Sequence, residues 1–220
     1  MIKLFKFSGI LLFSLLLIVS CNSELDKTTT NPKAINKQKF NKIIPTYSSG
    51  KQYYPYTLTQ ELTKKSSLCV IENGYDSIFF RIWYIYNNIP TQVVDLKKES
   101  RTWTGEYHII EENFDTVNYV SKFTNAKTSK ISPKSGWTTF VNKVLSLGIT
   151  TLPPDFEVPG YDGLPTHAEF VIVEISTATN YKIYSYSMPM LFPEIKEPKA
   201  MEDIMELIEN EFGVKRLVKF

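Results

Sequence analysis

The stretch Ala168-Glu169-Phe170-Val171-Ile172-Val173-Glu174-Ile175-Ser176-Thr177-Ala178-Thr179-Asn180-Tyr181-Lys182-Ile183-Tyr184-Ser185-Tyr186-Ser187 decides the fold. Two runs of β-branched and aromatic residues, Ala168 to Ser176 and Tyr181 to Ser187, flank a short polar connection. That pattern reads as an antiparallel hairpin. Pro189 and Pro193 then interrupt it, and from Pro198 to Phe212 the period changes. Met201, Ile204, Met205, Ile208 and Phe212 recur at helical spacing, and Gly213 ends the run. Pro198 suits a first helical turn, and Glu202 and Asp203 suit the positive end of the helix dipole.

Upstream the signals are mostly β. Leu68 to Glu72 is a short apolar run, Asn73-Gly74 is a turn dipeptide, and Ser77 to Tyr86 alternates. Ile78, Phe80, Ile82 and Tyr84 share one face, Phe79, Arg81 and Trp83 the other, so a hairpin around Asn73-Gly74 is expected. Thr91 to Leu96 is a shorter strand. Arg101 to Ile110 and Thr116 to Phe123 flank Glu111-Glu112-Asn113 as a second hairpin. A helix capped by Ser135 follows, with Trp137, Phe140, Val141, Val144 and Leu145 as its stripe and Gly148 at its end. A Pro-rich loop runs from Thr151 to Pro165. With no internal repeat, the chain reads as α+β: one domain, a largely antiparallel sheet, and two helices packed on one face.

The N-terminus carries an address. Lys3 and Lys6 precede the apolar run Phe7 to Val19, the pattern of a secretory signal peptide. Thirteen helical residues would span roughly 20 Å, short of the roughly 30 Å hydrocarbon core. The residues Ile18-Val19-Ser20-Cys21 resemble the lipobox of bacterial lipoproteins. The resemblance implies cleavage before Cys21, acylation of its thiol, and tethering of the mature chain to a membrane through lipid. Asn22 is not the aspartate that marks inner-membrane retention. Ser23-Glu24-Leu25-Asp26 is similar to the acidic export tag of Bacteroidota surface lipoproteins, with only two acidic residues. An outer-membrane location is expected, the periplasmic face ahead of the cell surface. Residues 1–20 are thus a signal peptide, 21–52 the lipidated cysteine with a polar tether, and 53–220 the folded domain. The scattered Asp162-Gly163, Glu174, Tyr181, Tyr184 and Pro189 resemble small lipoproteins of Bacteroidota, a likeness that brings no activity with it.

The full chain has 25 basic and 23 acidic residues. Losing residues 1–20 removes Lys3 and Lys6 and leaves the mature chain near zero net charge, which argues against a nucleic-acid partner. Once Cys21 is lipidated only Cys69 remains, so no internal disulfide can form. Cys69 sits in an apolar run and is expected to be buried and inert. No Gly-x-Ser-x-Gly elbow, His-Glu-x-x-His helix, Cys-x-x-Cys pair or phosphate-cradling glycine loop occurs.

Three features carry candidate chemistry. Asp155, Glu157, Asp162 and His167 gather oxygen and imidazole ligands in the Pro-rich loop, as a metal would require, against the alternative of a solvated loop. Glu174 interrupts an apolar strand, either as a general base or in a cross-hairpin pair with Lys182. Trp83, Trp103, Tyr184 and Tyr186 belong to an aromatic excess that either binds a partner or fills the core. No catalytic residue and no cofactor are assigned. The leading expectation is a non-catalytic binding module of the cell envelope, meeting the membrane through its lipid and an envelope protein or glycan through its fold. A carboxylate-based or metal-dependent envelope hydrolase is one alternative. A glycan-binding accessory lipoprotein, stacking sugars on Trp83 and Trp103, is the other.

Overall fold

The computed structural model describes residues 39–86, 89–115, 120–161 and 170–216. A short strand β1 (Asn41–Ile43) leads to helix α1 (Tyr54–Ser66). Four strands follow, β2 (Ile78–Ile85), β3 (Thr91–Glu99), β4 (Thr102–Asp115) and β5 (Val120–Ile131), then helix α2 (Trp137–Ser146). After a 3-10 turn at Asp155–Glu157 come β6 (Phe170–Thr177), β7 (Asn180–Ser187), a second 3-10 turn at Pro189–Leu191, and helix α3 (Lys196–Phe212). The strands form one seven-stranded sheet in the order β1-β7-β6-β2-β3-β4-β5. Every pairing is antiparallel except β1 on β7. The expected α+β architecture is therefore what the chain adopts.

Strand alternation sends side chains to two separate cores. Phe80, Ile82, Tyr84, Val94, Val173 and Tyr184 lie under Phe140 and Val144 of α2 and Met201, Ile204 and Ile208 of α3. These are the two expected helices, on one face as expected. The opposite face, with Phe79, Trp83, Val93, Ile172, Tyr181 and Ile183, is roofed by Leu62 of α1 and by Tyr53. Helix α1 was not anticipated. Its buried positions are Pro55, Thr59, Leu62 and Thr63, which keep helical spacing but carry one large apolar side chain.

Several local readings change. The run Leu68 to Glu72 is not a strand, so Asn73-Gly74 closes no hairpin. Its carbonyls are met by side chains instead: Cys69 O accepts from Arg81 at 2.9 Å, and Ile71 O from the Ser176 hydroxyl at 2.6 Å. Gly74 still turns the chain, at φ +110°, where a Cβ would stand 3.1 Å from the Phe40 ring. Cys69 is half-buried rather than buried. Ser135 does not cap α2; its N–H goes to the Glu211 carboxylate at 2.8 Å, and Gly136 takes the cap position. The second hairpin exists, but β4 runs on through Glu111-Glu112-Asn113 with a bulge and stays paired with β5 as far as Asp115 and Val120.

Gly105 marks a close approach. A Cβ there would lie 2.9 Å from Ile131 Cγ1 and 3.0 Å from the Trp137 ring. That clearance admits an aromatic column in which Trp103 stacks between Phe80 and Trp137, with centroid separations of 6.0 and 6.2 Å.

Candidate functional site

The register of the sheet aligns charges across it. Lys130, Glu106, Asp95, Arg81 and Glu174 are successive partners from β5 to β6. Arg81 grips Asp95 with two bonds, Nε to Oδ1 at 2.7 Å and a terminal nitrogen to Oδ2 at 2.8 Å. Its guanidinium lies over the Phe79 and Trp83 rings, 5.3 and 5.6 Å from their centroids. Both partners are sealed from water, Arg81 at 0 % and Asp95 at 3 % exposure. Burial alone would raise the Asp95 carboxyl; the Arg81 guanidinium reverses this and holds it below the usual carboxylate range. His108, two residues along β4 from Glu106, reaches Asp95 from beside the row, its Nε2 3.4 Å from Asp95 Oδ2 and its Nδ1 2.9 Å from the Thr128 hydroxyl.

Glu174, the candidate base, belongs to this row. Burial raises its carboxyl against the pull of Arg81. Yet Trp83 Nε1 donates to one oxygen and the Tyr181 hydroxyl to the other, both at 2.6 Å, with 1 % of the residue exposed. Those donors leave no approach for a substrate. The expected Glu174–Lys182 pair does not form, because Glu174 faces Ile183 across the hairpin while Lys182 faces Ile175. One residue of register puts the two side chains on opposite faces.

Lys182, Tyr184 and Tyr186 share the other face, and what they bind is the chain's own Pro-rich loop. Lys182 Nζ donates to Thr150 O at 3.1 Å and Leu152 O at 2.8 Å. Tyr184 donates to Ile149 O at 2.6 Å, and Tyr186 to Pro153 O at 2.9 Å. This ladder of donors straps residues 149–153 along β7. Proline is tolerated there because the strap contributes carbonyls rather than N–H groups. Asp155 then reaches Ser185, which points to the opposite face, so the chain rounds the edge of β7 between Pro153 and Asp155.

At that corner the structure gathers a carboxylate and three rings. Tyr47, Tyr53 and Phe156 touch one another with centroids 5.2 to 5.9 Å apart. Tyr53 is fully buried, its hydroxyl 2.8 Å from the Ser185 hydroxyl, whereas Phe156 is 41 % exposed. Tyr47 is held in a small turn bridged by Thr46 and Gln52. Asp155, the residue before Phe156, is half-buried. One oxygen takes the Phe156 N–H at 2.9 Å, and the other lies 3.5 Å from the Ser185 hydroxyl. Burial pushes its carboxyl up to about 6, against the smaller opposing effect of those hydrogen bonds. In turn its charge helps to raise the phenols of Tyr47, Tyr53, Tyr161 and Tyr186, chiefly after burial itself.

The other residues named from sequence fall elsewhere. Trp83, Tyr184 and Tyr186 are core residues at 0 % exposure and offer no surface to a sugar or protein, whereas Trp103, stacked in the aromatic column, is half-buried. Glu157 shares the 3-10 turn with Asp155. Asp162 and His167 lie outside the described residues, as does Cys21. Among the described residues no three His, Cys, Asp or Glu side chains converge as a metal site. A cleft of about 330 Å³ between the end of α2 and the start of α3 includes Ser146 and Thr151. Their hydroxyls are already bonded to Lys143 O and Gly148 O.

No protein-family model matches the chain, and comparison with curated proteins gives no relative. Among solved structures, the motor domain of the kinesin-like protein Kar3 from Saccharomyces cerevisiae aligns at 13 % identity. The alignment covers 77 % of this chain and 55 % of that one with a TM-score of 0.14, so it carries no argument about fold or activity. What remains is the geometry. Tyr47, Phe156 and Ser185 were missed in the sequence, where the available signal was an aromatic between two acids in a Pro-rich loop.

Proposed function

We propose that this protein is a lipid-anchored, non-catalytic binding module of the bacterial cell envelope. It is attached through Cys21 and meets its partner through the corner at Asp155 and Phe156. One observation carries the reading: an exposed Phe156 ring braced by Tyr47 and Tyr53, three residues beyond a strap that β7 holds with four hydrogen bonds. Rigid aromatic anchors beside polar groups suit protein recognition, since little freedom is lost on binding. Both sheet faces are roofed by helices, which leaves the strap rather than the sheet as the contact surface. Residues 41–52, assigned to the tether from sequence, are part of this fold, with Asn41–Ile43 paired to β7 and Tyr47 packed on Phe156. Asn41 joins the sheet beside Asn180, whereas Asp155 meets Ser185, five residues and roughly 17 Å further along β7.

The test places a photo-crosslinking amino acid at position 156 of the full chain in cells, and at exposed Leu145 on α2 as control. A discrete adduct from position 156 alone is expected. No adduct, or the same adducts from both positions, refutes the contact surface. In the same cells Cys21→Ser should move the protein from the membrane to the soluble fraction, and retention in the membrane would refute the anchor.

A further inference from the structure

We infer that Asp155, with the rings of Tyr47 and Phe156, is a receptor for a cationic side chain, a guanidinium or ammonium group presented by the partner. The inference rests on the binding-module reading and names the chemistry of its contact. Its first support is that Asp155 makes no ion pair among the described residues. Several half-buried or buried carboxylates do have one: Asp95 has Arg81, Glu72 has Lys42, Glu202 and Glu209 share Arg216, and Asp203 has Lys199. Asp155 has an N–H and a hydroxyl, and the ionisable groups coupled to it are the phenols of Tyr47, Tyr53, Tyr161 and Tyr186.

The second support is geometric capacity. A carboxylate offers about four acceptor positions. Two are in use here, and the Ser185 contact is long at 3.5 Å. The third is the wall around it. Phe156 presents 41 % of its surface, and Tyr47 packs on it at 5.2 Å. A cation seated on the carboxylate would lie next to the exposed Phe156 ring, one residue along the chain, and aromatic rings attract cations most strongly once water is excluded. The fold already contains this grouping in its interior, where Arg81 binds Asp95 while lying over Phe79 and Trp83. At the corner the carboxylate and the rings are present, and the cation would come from outside. Half-burial matters too: water shields this charge incompletely, so a cation gains more here than at an exposed aspartate.

The probe is a fluorescein-labelled hexaarginine peptide, with hexaglutamate as control, titrated into the full mature chain at about 0.15 M salt to screen diffuse attraction. Hexaarginine should bind and hexaglutamate should not. Asp155→Asn should weaken binding roughly 10- to 100-fold, the range of a charge-assisted contact. Phe156→Ala should weaken it less. Wild-type affinity should fall as the pH drops through about 6, where Asp155 takes up its proton, while Asp155→Asn stays flat. Absence of hexaarginine binding, equal binding by Asp155→Asn, or binding indifferent to pH would each overturn the inference. If position 156 crosslinks a partner yet hexaarginine does not bind, the module reading survives and the cation receptor alone fails.

Discussion

Asp155→Asn should make the protein more stable at neutral pH, although it removes a charge from a hydrogen-bonded corner. In the unfolded chain this carboxyl ionises near its ordinary value of 3.8, and in the folded chain near about 6. Below pH 3.8 both states hold the proton and the group contributes nothing. Between the two values the unfolded chain ionises first, so wild-type stability falls as the pH rises. Above about 6 the full penalty stays in place. A gap of about two units corresponds to about 3 kcal/mol at 1.36 kcal/mol per unit. Asparagine cannot ionise, and it still offers an oxygen to the Phe156 N–H and an amide to the Ser185 hydroxyl. Urea unfolding of both proteins at intervals from pH 4 to pH 8 should show two curves that separate as the pH rises, the variant ahead by about 2 to 3 kcal/mol at the top. A variant less stable than wild type at pH 8, or a difference constant with pH, would refute the reasoning. The same penalty is what a bound cation would relieve, so stability and recognition oppose each other at this residue.

Arg81→Met should cost about 3 to 5 kcal/mol, because it strands Asp95 in the core, and a further Asp95→Leu change should recover most of it. Urea unfolding reads both, and a single-variant loss under about 1 kcal/mol would show that the ion pair is dispensable. Gly105→Ala should lower stability by about 1 to 3 kcal/mol by pushing on Ile131 and Trp137. The tryptophan near-ultraviolet circular dichroism should change with it, and an unchanged spectrum and melting temperature would refute the close packing.

Elements with strong periodicity were legible from the chain, and those built on polar residues were not. Met201, Ile204, Met205 and Ile208 announce α3, and the alternation from Ile78 to Tyr84 announces β2. Helix α1 hides because threonine and proline occupy its buried stripe, where the roof is held partly by hydrogen bonding of Tyr53 to Ser185. Leu68 to Glu72 looks like a strand because Ile71 is a core residue, yet its Cys69 and Ile71 carbonyls go to the side chains of Arg81 and Ser176 rather than into the sheet. The corner at Asp155 was only half visible. Its carboxylate drew attention, but Tyr47 lies over a hundred residues earlier, and Ser185 could be assigned to a face only once the register of β7 was known. Among the described residues, the partners of Asp155 beyond its own turn come from other segments, which spacing along the loop does not reveal.

The strap on β7 has one consequence for change over time. Lys182, Tyr184 and Tyr186 hold it by backbone carbonyls, which every amino acid supplies alike. Anchorage of the loop is thereby independent of most of its side chains. A lineage can exchange the residues at 155–157, trading acid for base or one ring for another, while the three donors keep the loop in the same place. Recognition can drift without refolding, the same separation of frame from lettering that lets hypervariable loops diversify on a constant scaffold. A library randomised at those three positions on this domain would inherit that tolerance.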